Sequence, residues 1–445
     1  MNNNSSPMST ESRLCDEIRQ RTATVGVIGL GYVGLPFAVE KAKIGFSVVG
    51  IEQNPRRVEQ VNQAENYITD VDDDDLKQVV ISGKLRAVTG FDAVSELDVL
   101  VICVPTPLTQ NLTPDLSYVV GVTRSIAQGL RAGHLVTLES TTYPGTTDEV
   151  IAPLLEETGL RQGQDFFLAH SPERVDPGNQ RYTTKNTNKI VGASDPTSLA
   201  VAQLFYEQTI EHVVPVSSAK AAELVKVFEN TFRAVNIALV NELALLCDRM
   251  GLNVWEVLDA ANTKPFGIMP FYPGPGVGGH CIPLDPHYLE WKAKEFNFET
   301  RFIALAGEIN RRMPEFVQQK VHRQLNQLGI APSCSRVLVL GVAYKKDLGD
   351  WRESPALNVI ALLLADGVKL AYHDPLVPSI QVGAHTLMSE PWQPDQLSIY
   401  DLVIIATDHS SVDYDQVVRQ SRAVLDTRGV TRRLTGEQMQ KVTLL

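Results

Sequence analysis

The sequence predicts an α/β protein with two Rossmann-like, doubly wound domains, joined by a long central helix and a helical middle region. Three observations support this fold class. Strand-like and helix-length segments alternate after residue 22, an uninterrupted helical stretch follows, and the alternation resumes towards the C-terminus. Alternation of strands and helices is typical of a parallel sheet covered by helices.

The first αβ domain is expected over residues 23–214, after a flexible N-terminal tail over residues 1–22 with a short helix near residues 14–21. The run ATVGVIGLGYVGLP indicates a buried strand that enters a glycine-rich turn, and a helix-length segment follows it. Further strand segments are FSVVGIEQN, DVLVICVP, HLVTLEST and DFFLAHSP. These short apolar runs, with helix-length stretches between them, predict parallel strands.

A helical middle domain is expected over residues 215–325. Residues 217–251 contain no Pro and no internal Gly, and their apolar positions have helical spacing. A helix of this length spans roughly 45–50 Å. Its apolar positions are more than one domain face needs, so we expect a homodimer or a higher homo-oligomer. The Pro/Gly-rich stretch 264–286 cannot be regular structure, and such loops usually carry function.

The C-terminal αβ domain is expected over residues 326–445. SRVLVLGVAY indicates a strand and a turn, SPALNVIALLLADG a helix, and VKLAYHDP and YDLVIIATD two further strands. This segment therefore predicts a second doubly wound unit.

Composition excludes several classes of protein. Forty Lys and Arg against 52 Asp and Glu give a formal net charge of −12, which disfavours nonspecific nucleic-acid binding. The sequence has no run of about 18 apolar residues, so no membrane-spanning helix is predicted, and the polar N-terminus is unlike a signal peptide. Five widely spaced cysteines fit a reducing cytoplasm, and no metal site is predicted.

The segment GLGYVG at residues 29–34 matches the GxGxxG spacing, in the required place between a strand and a helix. Its glycines permit a tight turn, close approach of the backbone to a pyrophosphate, and close packing of helix on strand. An acidic residue at the end of the next strand favours NAD over NADP, because it bonds the ribose and repels a 2′-phosphate. A turn of this type that binds no dinucleotide is the alternative. The predicted cofactor-binding residues are Gly29, Gly31, Tyr32, Val33, Gly34 and Glu52.

Cys281 lies in the glycine-rich loop beside His280, with Asp285 four residues later. A thiol in a polar loop favours a nucleophile activated by nearby positive charge, although an ordinary, partly buried thiol would have the same sequence. Zinc binding is disfavoured because adjacent residues rarely chelate one ion. Lys226 and Asn230 share a face of the long helix, which indicates either a polar line in a cleft or a solvated stripe.

A nicotinamide cofactor together with a nucleophilic cysteine predicts a four-electron oxidation of an alcohol to an acid. The first oxidation gives an aldehyde, which the thiolate captures as a thiohemiacetal. The second oxidation gives a thioester, and water releases the carboxylate.

The sequence resembles the UDP-glucose/GDP-mannose dehydrogenase family from about residue 24 to residue 375, and more weakly to the end. The likeness is carried by VGVIGLGYVGLP, CVPTP, ESTTYPGTT, SPERVDPGN, AELVKVFENTFRAVNIALVNE, FYPGPGVGGHCIPLDPHYL, GVAYKKDLGDWRESPA and YHDP, in that order. Within the family, the segments ESTTYPGTT, SPERVDPGN and YPGPGVGGHCIPLDP are most similar to bacterial enzymes that oxidise UDP-N-acetylglucosamine for surface polysaccharides such as O-antigen or capsule.

The resemblance implies catalytic roles for matching positions. Cys281 would be the nucleophile, Lys226 and Asp285 would stabilise oxyanions and hold the catalytic water, and Asn230 would position the 6-oxygen of the sugar. The residues that match groups handling this water or its protons are Thr141 and Glu173.

The resemblance also implies binding roles. The C-terminal domain would hold UDP, which fits the absence of GxGxxG from its first turn. The implied NAD contacts are Arg57, Thr106, Thr141 and Arg352. The implied substrate contacts are Lys226, Asn230, Tyr272, Gly278 and Lys345. The segment from residue 272 to residue 279 would form a loop around the sugar-nucleotide.

Departures from the UDP-glucose branch disfavour that substrate. Leu284 stands where that branch has Lys, and His280 where it has Ser or Tyr. Pro177 falls at a second Glu of that branch after Glu173, and Asp176 is a candidate to replace it. Arg174 and Asn179 are suspects for contacts with an acetamido group.

The sequence therefore favours NAD-dependent oxidation of UDP-N-acetyl-D-glucosamine at C6. The UDP-N-acetyl-D-mannosamine epimer is the first alternative, and UDP-glucose is less favoured. A two-electron hydroxyacid dehydrogenase would need neither the cysteine nor the second αβ domain. A scaffold that only senses NAD would have no use for Cys281 together with Lys226 and Asp285.

Overall fold

A computed structural model of the chain describes residues 9–109, 111–175, 181–279 and 282–445. The chain forms two compact units. The first comprises Met1–Glu229 and Trp291–Asn297, and the second comprises Asn230–Glu290 and Phe298–Leu445.

Helices and strands of both units are numbered in chain order. The helices are α1 (Thr10–Gln20), α2 (Gly34–Lys43), α3 (Pro55–Asn62), α4 (Asp73–Ile81), α5 (Ser117–Gly129), α6 (Ala152–Glu156), α7 (Pro196–Glu207), α8 (Ala219–Met250), α9 (Val254–Ala261), α10 (Asp285–Ala293), α11 (Arg301–Gln327), α12 (Pro355–Ala365) and α13 (Tyr414–Gln420). The strands are β1 (Thr24–Ile28), β2 (Ser47–Ile51), β3 (Leu85–Val88), β4 (Val99–Ile102), β5 (Leu135–Leu138), β6 (Phe167–His170), β7 (Lys189–Gly192), β8 (Val213–Val216), β9 (Arg336–Leu340), β10 (Lys369–His373), β11 (Ser379–Val382), β12 (His385–Met388), β13 (Leu402–Ile405), β14 (Val424–Asp426) and β15 (Val442–Leu444). A π-helical turn, Thr147–Ile151, leads into α6.

The first unit is built on a sheet with the strand order β3-β2-β1-β4-β5-β6-β7-β8. Strands β1 to β6 are parallel, β7 meets β6 antiparallel, and β8 is parallel to β7. The chain order reverses between β1 and β4, and a crevice at the carboxyl ends of strands at such a point is where ligands bind in open α/β sheets.

Both faces of this sheet are covered. On β4, Val99 and Val101 belong to one apolar core, whereas Leu100 and Ile102 belong to another. Successive side chains of a strand point to opposite faces, so the continuous apolar run fits a strand buried on both sides. The predicted doubly wound architecture is confirmed here.

The helix expected near residues 14–21 is longer than predicted, and it is packed on the core instead of lying in a flexible tail. Residues 10–20 form α1, whose Leu14 and Ile18 are fully buried in the core of the first unit. Ser9 caps the helix by accepting the N–H of Ser12. The expectation missed the apolar stripe, because Leu14 and Ile18 are one helical turn apart in an otherwise polar segment.

The second unit contains the other predicted αβ layer. Its five-stranded sheet has the order β10-β9-β13-β14-β15, and all pairs are parallel. Helices α11 and α12 contribute to its main core, with Val317 and Val359 fully buried. The long helix α8 has 32 residues and ends at Met250, just before Gly251.

No helix in the described part of the chain is long and apolar enough to cross a membrane.

Candidate functional site

Each glycine of the turn in the first unit has a different physical role. Gly29 has φ +90°, and a Cβ there would lie 2.5 Å from the carbonyl oxygen of Cys103. A Cβ on Gly34 would overlap the carbonyl oxygen of Gly29, so only glycine lets α2 begin so close to β1. A Cβ on Gly31 would meet nothing within 4 Å, so the turn has open space at the position that approaches a pyrophosphate.

The start of α2 suits an anion. Val33 is at the N-cap position and its side chain makes no capping hydrogen bond. The first N–H groups of the helix therefore have no side-chain acceptor at the cap, and they favour a phosphate by hydrogen bonding and by the helix dipole. Tyr32, beside it, is 40% exposed.

Glu52 follows β2 and is 6% exposed. Its Oε2 accepts the backbone N–H of Leu30 at 3.0 Å, and its Oε1 accepts that of Asn54 at 2.9 Å. Arg57 lies 3.9 Å from Oε2 and stacks over the ring of Tyr67. A carboxylate has about four acceptor sites, so Glu52 retains capacity for a ribose. These residues fit a dinucleotide without a 2′-phosphate.

Thr106 and Thr141 are brought together after β4 and β5. The Thr106 hydroxyl donates to the carbonyl of Thr141 at 2.6 Å. The neighbouring Ser140 hydroxyl donates to the carbonyl of Val104 at 2.7 Å. The two loops are thus fixed to each other at the carboxyl edge of the sheet, next to the glycine-rich turn that follows β1.

Glu173 follows β6 at the same edge of the sheet. Its Oε1 accepts the backbone N–H groups of Arg174 and Val175, each at 2.7 Å. Its Oε2 lies 3.2 Å from Nζ of Lys189, which also donates to Glu139 at 2.8 Å. Burial raises the pKa of Glu173, but the charge of Lys189, the bond from Val175 and the charge of Lys226 together outweigh it, so the pKa is lowered.

Arg174 is occupied within the protein. Its guanidinium makes two hydrogen bonds to the Glu229 carboxylate and donates to the carbonyl of Asn188. The suspected acetamido contact of Arg174 would compete with these bonds.

The second unit joins Asn230 and Asp285. The side-chain N–H of Asn230 donates to Oδ2 of Asp285 at 2.5 Å, and the two residues are 5% and 2% exposed. Asp285 begins α10, where the helix dipole favours a negative charge. Two of the predicted catalytic residues thus form one buried polar pair.

Asn241 lies about three helical turns after Asn230 on α8 and is part of a buried amide network. It donates to Asn310 of α11 at 2.9 Å and accepts the backbone N–H of Gly274 at 3.1 Å. Asn310 in turn donates to the carbonyl of Ala234. The network fixes the Pro/Gly-rich loop to two helices.

Tyr272 is held by neighbours in the second unit. Its hydroxyl donates to Asp259 at 2.9 Å, its ring stacks on Trp255, and the guanidinium of Arg432 lies over both rings. Arg432 also pairs with Asp259 at 3.1 Å. The side chain of Tyr272 therefore anchors the loop, and it is 37% exposed.

Gly278 and the next glycine allow the loop to lie against the C-terminal sheet layer. A Cβ on Gly278 would lie 2.8 Å from the carbonyl of Glu353 and from the Cβ of Tyr344. Lys345 follows Tyr344 and is partly buried. Arg352 makes two side-chain bonds to Asp350, at 2.9 and 2.8 Å.

Some predicted positions lie outside the described residues. They are His280, Cys281, Asp176, Pro177 and Asn179.

Several buried polar residues were missed by sequence reasoning: Glu139, Lys189, Tyr206, Glu223 and Asn310. The available signal was a charged residue at the end of an apolar strand, as in HLVTLEST for Glu139 and NKIVGA for Lys189. The sequence does not say which partner each one meets, because the partners are far apart along the chain.

Comparisons with known proteins give a consistent assignment. Models of the UDP-glucose/GDP-mannose dehydrogenase family match in order: the NAD binding domain at residues 23–210, the central domain at 220–312 and the UDP binding domain at 338–433.

Two curated relatives and a solved structure span nearly the whole chain. A UDP-N-acetyl-D-mannosamine dehydrogenase of Pyrococcus horikoshii is 36% identical over 414 residues, which cover 92% of this chain and 96% of that protein. A UDP-N-acetyl-D-glucosamine 6-dehydrogenase of Pseudomonas aeruginosa is 35% identical over 388 residues, covering 87% and 90%. The solved UDP-D-ManNAc dehydrogenase of Pyrococcus horikoshii has a TM-score of 0.85 at 34% identity, covering 95% of this chain and 98% of that one.

Sequence, fold and turn chemistry agree with these matches. The chain belongs to the UDP-glucose/GDP-mannose dehydrogenase family and is an NAD-dependent nucleotide-sugar dehydrogenase.

Proposed function

We propose that the chain oxidises the C6 hydroxyl of UDP-N-acetyl-D-glucosamine to the carboxylate, with Cys281 as a covalent nucleophile. The observation that carries the acid–base part of this proposal is the buried bond between Asn230 and Asp285, four residues after Cys281 in the chain. A buried carboxylate held by an amide is suited to fix a water or an oxyanion-stabilising group.

In the proposed reaction the aldehyde stays on the protein between the two oxidations. The Cys281 thiolate adds to the aldehyde carbon as a thiohemiacetal, the second oxidation gives a thioester, and water releases the acid. Bound NAD supplies the hydride acceptor for each oxidation, held by the turn at Gly29 to Gly34 and by Glu52. Lys226 and Asn230 stabilise negative charge on the 6-oxygen, and Thr141 and Glu173 act on the hydrolytic water.

An acetamido sugar is supported by the similarity to relatives named for N-acetyl-D-mannosamine and N-acetyl-D-glucosamine substrates, at 36% and 35% identity. These values are too close to separate the two C2 epimers, so UDP-N-acetyl-D-mannosamine is the second candidate. Leu284, where the UDP-glucose branch has Lys, argues against UDP-glucose.

The test is the NADH yield per sugar in a substrate-limited assay, run separately on UDP-GlcNAc, UDP-ManNAc, UDP-GalNAc and UDP-glucose. Two NADH per UDP-GlcNAc are expected. Two NADH from another sugar alone would keep the mechanism and change the substrate. One NADH per sugar would contradict the covalent role of Cys281.

A further inference from the structure

A buried cluster of charged groups lies behind Glu173 in the first unit. Lys189 Nζ bridges two carboxylates, Glu139 at 2.8 Å and Glu173 at 3.2 Å. The side chains of Lys189, Glu139 and Glu173 are 5%, 0% and 15% exposed. Tyr206 closes the far end by donating to the other oxygen of Glu139 at 2.9 Å. The cluster therefore runs from a predicted reactive carboxylate into the interior.

The bonds to Glu173 leave little freedom in its carboxylate. Oε1 accepts the N–H groups of Arg174 and Val175, and Oε2 accepts Lys189. A carboxylate offers about four acceptor sites, so the described residues use three of them and one remains on Oε2. An acceptor held in this way can fix the orientation of one further donor.

The charge arrangement keeps this carboxylate ionised. A buried ammonium is costly unless it is paired and hydrogen-bonded, and Lys189 meets both conditions through two carboxylates. Burial lowers the pKa of Lys189, but the charges of Glu139 and Glu173 outweigh it and the pKa is raised. Glu139 shows the opposite balance, since burial raises its pKa and Lys189 only partly compensates.

We propose that Lys189 is a positioning residue that holds Glu173 as a carboxylate in a fixed orientation, so that Glu173 orients the hydrolytic water. This inference rests on the proposed function, because it assigns Glu173 to the hydrolysis of the Cys281 thioester. When the C–S bond breaks and the C–O bond forms, one water proton goes to the Cys281 sulfur. The product acid releases the other to solvent.

Several elements contribute groups that act electrostatically on this cluster. They are Lys189 of β7, Glu139 after β5, Tyr206 of α7, Cys103 after β4, His170 of β6, Lys41 of α2 and Lys226 of α8. Burial lowers the pKa of His170 to about 3, so it is neutral and adds no charge at neutral pH.

The direct test is the protonation of Glu173 itself. Infrared difference spectra are recorded across pH between wild type and Glu173→Gln, and between each Lys189 variant and the same variant carrying Glu173→Gln. Each difference isolates the carboxylic C=O band of Glu173. Wild type is expected to show no protonated band at neutral pH, because the pKa of Glu173 is lowered. Lys189→Met is expected to raise the apparent pKa by about 1–3 units, because an opposite charge near a carboxyl lowers its pKa by that amount. Lys189→Arg should restore the wild-type titration.

Tyr206→Phe is the matched control, since it removes a bond to Glu139 and leaves the contact between Lys189 and Glu173 intact. A protonated Glu173 at neutral pH in wild type would overturn the inference, even if Lys189→Met fails to fold. An unmoved Glu173 band in a folded Lys189→Met protein would also overturn it.

Turnover separates this inference from the proposed function. The acidic limb of the pH–kcat profile for acid formation should move upward in Lys189→Met and return in Lys189→Arg, with unchanged affinity for NAD. A wild type that yields one NADH per sugar would contradict the proposed function, whereas the infrared titration does not depend on turnover. Two NADH in wild type with an unmoved acidic limb in Lys189→Met would contradict only the role of Lys189.

Discussion

The Glu52 carboxylate accepts the backbone N–H of Leu30 at 3.0 Å and thereby ties the end of β2 to the turn after β1. Asp374 makes the same connection in the second unit, where it accepts the N–H of Val342 at 2.7 Å. The two αβ layers thus share one way of fixing their first turn. They differ in how many hydrogen-bond acceptor sites of the carboxylate remain unused by the described residues.

Asp374 is saturated by the protein. Besides Val342, it accepts N–H groups of Ala343, Leu376 and Val377, and His409 lies 3.0 Å from it. Glu52 accepts two backbone N–H groups. The first turn therefore has an acidic acceptor available for a ribose, and the equivalent residue of the second unit is committed to structure.

Replacing Glu52 should weaken NAD binding and relax cofactor choice. Glu52→Ala removes a charged acceptor and the tie to Leu30, so we expect KM for NAD to rise roughly 10–100-fold. The preference for NAD over NADP should fall further, because the repulsion of a 2′-phosphate is lost. Initial rates with each cofactor measure both effects. The exposed Glu65→Ala is the control, and an unchanged NAD/NADP ratio in Glu52→Ala would refute the assignment.

Replacing Asn230 should lower kcat and leave NAD affinity unchanged. Asn230→Leu leaves the buried Asp285 without its amide donor, and Asn230→Asp puts a second carboxylate beside it. We expect a loss of about 10–1000-fold in kcat, larger for Asn230→Asp because like charges oppose an oxyanion. Asn236→Leu on the same helix, whose amide bonds only its own turn, is the control. Equal activity of Asn230→Asp and wild type would contradict this.

Glu223 should make stability depend on pH. Its carboxylate accepts N–H groups of Gly145 and Thr147 and the Thr147 hydroxyl, yet burial raises its pKa from 4.5 to about 7. Between those values the native state holds more protons than the unfolded state. Stability should therefore fall as pH rises from 4.5 to 7, by up to roughly 3 kcal/mol.

Denaturant midpoints at pH 5 and pH 8 test this prediction for Glu223. At pH 5, Glu223→Gln should have a lower denaturant midpoint than wild type, because the new amide N–H would face a backbone N–H. This contact should lower the free energy of unfolding by about 1–3 kcal/mol. Its midpoint should change less with pH than that of wild type. The exposed Glu157→Gln should behave like wild type. The same pH dependence in Glu223→Gln and wild type would assign the titration to another group.

The helix α8 should mediate self-association. On its second-unit part, Phe232, Leu239, Leu246 and Met250 are 40–62% exposed and recur every seven or four residues, so they form one apolar face. We expect a dimer in solution. Leu239→Glu should reduce the mass measured by light scattering to that of a monomer. Arg233→Glu, about 100° round the helix, should not change it. A monomeric wild type would contradict this prediction.

The sequence predicted the parts whose residues are close together in the chain. Apolar runs such as VLVI in β4 predicted buried parallel strands, and the predicted helix at residues 217–251 is observed as α8 with its ends within two residues. The spacing of GxGxxG with Glu52 also predicted residues that are close together in the fold. Such features depend on local pattern alone.

Long-range pairs could not be predicted in the same way. Lys189 meets Glu139 across 50 residues, because β7 reverses direction beside β6, and no local pattern predicts that pairing. Asn310 meets Asn241 across 69 residues on a different helix. Burial of α1 was missed because only two apolar residues of a polar segment carry it.

Cys281→Ser should abolish formation of the acid while NAD binding survives. A serine hydroxyl is a weaker nucleophile than a thiolate at neutral pH, so the aldehyde is not captured and no thioester forms. The glycine turn and Glu52 belong to a different segment, so the Kd for NAD should stay within about twofold of wild type. Cys247→Ser, at a buried thiol of α8, is the control for loss of any cysteine. Fluorescence titration measures NAD affinity, and a coupled assay measures the sugar acid. Acid formation at the wild-type rate in Cys281→Ser would remove the covalent step, and loss of NAD binding would mean that the residue lies in the cofactor site.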